Sequence, residues 1–320
     1  MSNRLVVLGW HNVDSSYCFP SSGGRGRTGL VQQLRLLRRL ANVVPLRAAL
    51  QSLAEGRPLP ARAVAVTFDD GYRDNLTVAG PILRELDIPA TCFVVPDILS
   101  RAVVPWWEKL AWTLTNARAD QVAWEGGSLF LADAARRRTA VADISQRLKR
   151  RDRAAREAAV ERLTEVLDPP GSYPFEHQFL DWDGARQLRD FMDLESHSLS
   201  HAILAEEPPD GQRRDLAEAR RQIEDRLEVD TSVLAYPNGG PADYGPETVE
   251  AARAAGYSHA VTTIGGVNTT STPPFEILRT VMNPERGGIE LLKVVRDAFI
   301  APLTARRDEL RDQSKGSARG

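Results

Sequence analysis

Two carboxylates stand side by side in Thr67-Phe68-Asp69-Asp70-Gly71-Tyr72, directly after the apolar run Ala63–Val66. Adjacent acids at the end of a buried strand repel each other and resist desolvation. Packing gives little reason to keep such a pair; a cation beside a proton acceptor does. A second pair of chemistry-bearing residues lies in His197-Ser198-Leu199-Ser200-His201, just beyond the short run Met192–Ser196. Two imidazoles four positions apart can converge on one ion. Together the segments offer two His and one Asp as ligands, with a second Asp left to move a proton. Three protein ligands leave room on a cation for water and substrate, the pattern of a catalytic rather than a structural site. Plainer readings exist: the Asp pair as a cap on the helix that starts near Asp74, and one His in a loop with the other capping a helix, both half-exposed. Two of only five histidines falling four apart at a strand end, as the acid pair also does, favours the site. Glu195, two positions before His197, is a candidate acceptor for a ligand imidazole N–H.

Such groups need a scaffold that brings distant strand ends to one mouth. Seven short apolar runs read as strands: Leu5–Gly9, Ala63–Phe68, Ala90–Val95, Met192–Ser196, Ser232–Tyr236, Ser258–Thr263 and Ile277–Met282. Helix-period segments fill the gaps at Leu30–Leu40, Leu46–Leu53, Asn75–Leu86, Asp210–Leu227 and Glu247–Ala255, the last followed by Gly256 as a C-cap. Strand alternating with helix predicts an α/β fold with a parallel sheet, and seven strands suffice to close a barrel. Barrel active sites lie at the C-terminal ends of the strands, where both motifs fall. Gly71 permits the tight turn that lets both carboxylates face the mouth. From about 105 to 173 the rhythm breaks. Ala132–Leu167 reads as one or two Arg- and Ala-rich amphipathic helices, stopped by Pro169-Pro170-Gly171. This is a helical insertion within a single barrel domain spanning 1–303, and 304–320 reads as a disordered tail. The clusters Arg136–Arg138 and Arg147–Arg153 form either a solvated face or a contact for an anionic substrate, a lipid surface or a partner.

The formal net charge of −2 over 320 residues gives no ground for a nucleic-acid partner. Two cysteines, Cys18 and Cys92, make no disulfide framework. The run Leu5–Leu8 is too short for a signal-peptide core, and no stretch is long and apolar enough for a transmembrane segment. The expected location is cytoplasmic.

The T-F-D-D-G-Y and H-S-L-S-H segments resemble the first two signature motifs of the polysaccharide deacetylases, carbohydrate esterase family 4, whose module is also called the NodB homology domain. Pro89-Ala90-Thr91-Cys92-Phe93 and Ala235-Tyr236-Pro237-Asn238-Gly239 add weaker support. The resemblance covers roughly Arg4–Phe299. It implies a distorted (β/α)7-type barrel, a divalent metal, most commonly zinc, and removal of acetyl groups from N-acetylated or O-acetylated sugars. By motif match, Asp69 resembles the catalytic base, and Asp70, His197 and His201 the metal triad.

Two departures follow. The family's late Leu-x-His, which supplies the general acid, has no counterpart, since no His follows His259. The Arg that usually precedes a Pro–aromatic pair is also missing; the order here is Tyr236-Pro237. One subgroup, which includes the poly-N-acetylglucosamine deacetylases, resembles a circular permutation with the closing strand first, and Leu8-Gly9-Trp10-His11 fits it. His11 is therefore the expected leaving-group acid, with His177 as the fallback. The family's matching loop implies a Tyr236 N–H aimed at the oxyanion, unless Tyr236 merely packs under a Pro–Asn–Gly turn. Arg279 either orients Asp69 and keeps it ionised or pairs with Glu276 at the surface. Trp107 either stacks on a sugar ring or anchors the insertion. The expected activity is metal-dependent hydrolysis of an acetyl group on a sugar or polysaccharide. The alternative is a non-catalytic carbohydrate-binding barrel, favoured only by the displaced acid. A phosphoesterase would normally need more ligands than are in view.

Overall fold

Leu5–Trp10 and Ala63–Asp69 are buried at every position. Runs this apolar suit strands covered on both faces, as in a parallel sheet. They form β1 and β3 and pair in parallel from Leu5↔Ala63 to Trp10↔Phe68. The computed structural model describes residues 3–14, 16–19 and 25–300. The other strands are β2 (Asn42–Val43), β4 (Ala90–Val94), β5 (Gln121–Trp124), β6 (Gly127–Phe130), β7 (Asp193–Ser196), β8 (Val233–Ala235), β9 (His259–Val261) and β10 (Thr280–Val281). The main sheet runs β10-β1-β3-β4-β7-β8-β9, with β2 added on β3, and its pairings are parallel. A parallel bridge between Val261 and Ile277 brings the segment before β10 against β9. The sheet therefore curls into a distorted barrel with flanking helices.

Each strand expected from the sequence is present, although Ile277–Met282 is regular only over Thr280–Val281. The first helix, Arg25–Leu40, starts a turn before the apolar period because its opening Gly-containing turn packs by backbone rather than by side chains. A Cβ at Gly26 would lie 1.7 Å from the Val13 carbonyl oxygen, so only glycine allows the helix this close to the loop after β1.

Between β4 and β7 the insertion builds its own apolar cluster. The helices Trp106–Thr115, Ala134–Leu148 and Arg153–Leu167 contribute Leu110, Leu114, Ile144, Leu148 and Leu163, and Tyr72, Val95 and Ile98 join the cluster to the barrel. The expectation of an insertion without strands is corrected here: β5 and β6 form an antiparallel hairpin. It turns through Glu125 and Gly126, both with positive φ, as a type I′ two-residue loop requires. Its residues are mostly exposed, so no apolar alternation announced it. The insertion's arginines are largely paired within it: Arg147 and Arg151 with Glu125, Arg153 with Glu157, Arg136 with Asp133. The stretch 304–320 lies outside the described residues. Among the described residues no helix is long and apolar enough to cross a membrane.

Candidate active site

Asp69 ends β3, and the chain then turns sharply through Asp70 (φ 70°) and Gly71 (φ 72°). In a continuing strand neighbouring side chains point to opposite faces; two left-handed residues in succession let both carboxylates face the barrel mouth. Left-handed backbone is uncommon for residues other than glycine and concentrates at functional sites. It recurs in the second motif, at Ser198 (φ 63°) and His201 (φ 56°). That loop is held from two sides. Asp215, on the helix Pro209–Leu227, accepts from the Leu199 N–H at 2.8 Å and the Ser200 hydroxyl at 2.9 Å, and the Leu199 carbonyl accepts from the Asp97 N–H at 2.9 Å.

The two motifs meet. His197 Nε2 lies 3.5 Å and His201 Nε2 3.2 Å from Asp70 Oδ1, and the three possible ligand atoms lie within 4.8 Å of one another. Atoms bound at about 2.0–2.1 Å in a tetrahedron sit about 3.4 Å apart, so this spacing fits one small cation. His197 Nδ1 is 2.8 Å from the Ala235 carbonyl oxygen. A carbonyl only accepts, so Nδ1 carries the proton and Nε2 presents a lone pair. Burial lowers the pKa of His197 to about 4 despite the neighbouring Asp69, which keeps the ring neutral, the form that ligates. Asp70 Oδ1 is buried without a hydrogen-bond partner among the described residues. Burial works against its charge, but the pull of His201, His11 and His197 keeps the carboxyl below its ordinary range. A buried anionic oxygen facing an imidazole lone pair is an unfavourable arrangement that a cation between them would relieve.

His201 lacks a carbonyl of its own: its Nδ1 is buried without a partner among the described residues. The Trp107 ring packs against it instead, centroids 4.2 Å apart. Trp107 Nε1 donates to the Tyr72 hydroxyl at 3.2 Å, which donates to Glu108 Oε1 at 2.9 Å. Trp107 thus anchors the insertion to the barrel and also lines the cavity. Glu195 does not orient an imidazole. The β7–β8 register pairs Ser196 with Leu234, which sets Glu195 beside the start of β8. There its carboxylate accepts from the Ser232 and Val233 N–H groups at 2.8 and 2.9 Å and from Arg47 at 2.7 Å.

Asp69 is 2% exposed and Arg279 fully buried. The guanidinium grips the carboxylate in bidentate fashion, Nη1 to Oδ1 at 2.6 Å and Nη2 to Oδ2 at 2.7 Å, while Nε donates to the Thr262 carbonyl at 3.1 Å. Burial would raise the Asp69 pKa; Arg279, with His197 and His11, outweighs it and holds the carboxyl well below the usual range. Arg279 therefore faces the barrel interior and not Glu276. His11 Nε2 lies 3.9 Å from Asp69 Oδ2, and the Phe19 ring packs beside it at 5.2 Å. The residues just after the acid pair position this loop. Asp74 accepts from the Val13 and Asp14 N–H groups, both at 2.7 Å, and Asn75 donates to the His11 carbonyl at 2.7 Å. His177 is exposed on a short helix, and His259 is buried in β9 against Ser258.

Tyr236 corrects an expectation. Its N–H donates to the Val261 carbonyl at 3.1 Å, because the β8–β9 ladder continues one residue past β8. The amide is therefore not aimed at an oxyanion. The hydroxyl donates to the Phe275 carbonyl at 3.1 Å and the ring stacks on Tyr244 at 4.3 Å. The next turn residue, Asn238 (φ 60°), lines the cavity, and its N–H has no acceptor among the described residues. The cavity itself measures about 180 Å³ and gathers His11, Asp69, Asp70, His197, His201 and Trp107, together with Cys18, Asn238 and Lys149. Asp74, Asp215, Asn238 and Lys149 were not singled out by the sequence. Asp74 reads as an ordinary helix cap, Asp215 lies inside a charged helix, and Lys149 lies in an Arg-rich run.

A parallel strand–helix barrel with carboxylates and imidazoles converging at its strand C-termini has the architecture of a barrel enzyme. The family described as polysaccharide deacetylase matches residues 56–125 and 133–260, and the chain belongs to it. Over 92 residues it is 33% identical to the poly-beta-1,6-N-acetyl-D-glucosamine N-deacetylase of Escherichia coli K12; the match spans 28% of this chain and only 13% of that enzyme. Among solved structures, the deacetylase PplD of Streptococcus pyogenes, in complex with acetate, superposes with a TM-score of 0.62 at 16% identity, covering 92% of this chain and 99% of that one. IcaB of Ammonifex degensii gives 0.57 at 21% identity, with 92% and 98% covered. At these identities the structural likeness is one of fold. The family takes its description from the deacetylation of polysaccharide.

Proposed function

We propose that this chain is a metal-dependent hydrolase that removes the acetyl group from an N-acetylated sugar within an oligo- or polysaccharide. The observation that carries this reading is the convergence of Asp69, Asp70, His197, His201 and His11 on one cavity. Asp70, His197 and His201 would hold the cation, and a donor set of two imidazoles and a carboxylate suits zinc or cobalt. Such an ion supplies a water of lowered pKa and polarises the acetyl carbonyl. The chain's own groups do the rest. Asp69, ionised and fixed by Arg279, takes the proton of the attacking water. His11, 3.9 Å from Asp69 and outside the candidate triad, delivers a proton to the departing nitrogen, because an amine leaves only when protonated. Asn238 replaces Tyr236 as the backbone donor to the tetrahedral oxyanion. The Trp107 ring offers an apolar wall to the sugar. With His11 this close to Asp69, the displaced acid no longer favours a non-catalytic barrel.

Acetate release from N-acetylglucosamine oligomers by zinc- or cobalt-loaded protein tests the reading. The expected result is turnover by the wild type and a loss of about 100-fold or more in Asp69→Asn with metal retained. His201→Ala should lose metal. Full activity in Asp69→Asn overturns the assigned roles; no acetate from any acetylated sugar overturns the function.

A further inference from the structure

The catalytic cavity, about 180 Å³, is smaller than the roughly 300–1,000 Å³ of ordinary ligand pockets. It accommodates the reacting end of a substrate, so the rest of the chain must lie outside it. A cavity of about 1,040 Å³ shares Cys18 and Ser145 with it and runs along the helix Ala134–Leu148. Arg138, Val141, Ser145 and Lys149 recur on one face of that helix and line this path, beside the face that buries Ala140, Ile144 and Leu148. The neighbouring arginines are engaged: Arg137 donates to the Leu131, Thr115 and Ala117 carbonyls, and Arg147 and Arg151 pair with Glu125. The acids lining the two cavities are also taken: Asp133 pairs with Arg136 and caps the helix, Asp69 is gripped by Arg279, and Asp70 faces His197 and His201. Lys149 is different. It is half-buried in the wall of the catalytic cavity, yet among the described residues its ammonium has no ion pair and no hydrogen bond. A cation partly withdrawn from water without a counter-charge favours a site that receives an anion.

We propose that Lys149, with Arg138 further along the same helix face, forms a subsite for an anionic group, a carboxylate or a phosphate, carried by the oligosaccharide next to its reacting acetamido sugar. This rests on the deacetylase reading and narrows its substrate class to acidic glycans. The test compares kcat/KM for three probes: the neutral N-acetylglucosamine tetramer, a hyaluronan tetrasaccharide in which glucuronate alternates with N-acetylglucosamine, and a phosphorylated N-acetylglucosamine tetramer. Wild type should prefer a charged probe, and the identity of that probe separates carboxylate from phosphate. Lys149→Gln should cut the charged-to-neutral ratio about tenfold, the size of one charge-assisted hydrogen bond, while Lys293→Gln, on the exposed face of the helix Gly287–Val295, should not. Equal losses on all probes, or no charge preference in the wild type, overturn the subsite. Calorimetric binding of the same probes to Asp69→Asn, with and without Lys149→Gln, reads the subsite without turnover. Charge-selective binding that needs Lys149, with no acetate from any probe, keeps the subsite and sinks the deacetylase; turnover without charge selectivity does the reverse.

Discussion

Arg279→Met isolates what the buried guanidinium does for Asp69. Arg279 is fully buried, and two bonds of 2.6 and 2.7 Å tie it to a carboxylate that is itself 2% exposed. Methionine keeps most of the stem and removes the charge. Asp69 is then a buried anion without its main counter-charge, and breaking a buried pair in this way costs about 3–5 kcal/mol. An unfolding entropy of roughly 2.1 cal/mol/K per residue over 320 residues is about 0.7 kcal/mol/K. The melting temperature should therefore fall by about 4–7 °C in metal-free protein followed by circular dichroism. Turnover should fall too, because burial then opposes the Asp69 charge against a weaker field, and a protonated Asp69 cannot take a proton. Adding Asp69→Asn removes the stranded charge. The double variant should be more stable than the sum of the single losses by on the order of 2 kcal/mol. A wild-type melting temperature in Arg279→Met, or a strictly additive cycle, refutes the reasoning.

His11→Ala should lower kcat on an N-acetylated substrate by about 10²–10⁴-fold while zinc content stays at the wild-type level, since His11 lies outside the candidate triad; loss of metal would contradict its role. Burial pushes the Asp74 carboxyl up to about 7, against the pull of the Asp14 and Val13 N–H groups, while an unfolded Asp titrates near about 3.9. The folded state then binds a proton the unfolded state lacks. Its contribution is full below about pH 4 and declines as pH rises towards about 7. Asp74→Asn keeps an acceptor oxygen and should flatten that decline in urea unfolding between pH 4.5 and 7.5; an unchanged slope would count against it. Glu108 is fully buried and accepts from the Tyr72 hydroxyl and from the Tyr17 and Cys18 N–H groups at 2.9, 3.0 and 3.1 Å. Glu108→Leu strands these donors at about 1–3 kcal/mol each, so the melting temperature should fall and cleavage near residues 16–19 should rise under limited proteolysis.

The candidate metal triad and its neighbour Asp69 were legible because each motif is short and sits at a strand end, where the barrel fixes its direction. The strands were legible for a related reason: β1 and β3 are apolar throughout, as strands covered on both faces must be. What failed depends on register between distant segments. Whether the Tyr236 N–H is free turns on one extra rung between β8 and β9, and the partner of Glu195 turns on the offset between β7 and β8. His11 meets Asp69 because β1 and β3 pair Trp10 with Phe68, which places residues 11 and 69 side by side. The β5–β6 hairpin was hidden because its exposed residues carry no burial pattern. Asp215 and Glu108 act through helices whose sequences look like ordinary charged or amphipathic surfaces.

The central claim is that one cation binds between the two motifs. A crystal grown with zinc, with the ion located by anomalous scattering, tests it most directly. One ion should appear within about 2.0–2.2 Å of an Asp70 oxygen and the Nε2 atoms of His197 and His201, with Asp69 held by Arg279 outside the coordination shell. Zinc bound elsewhere with these three side chains unligated would contradict the account.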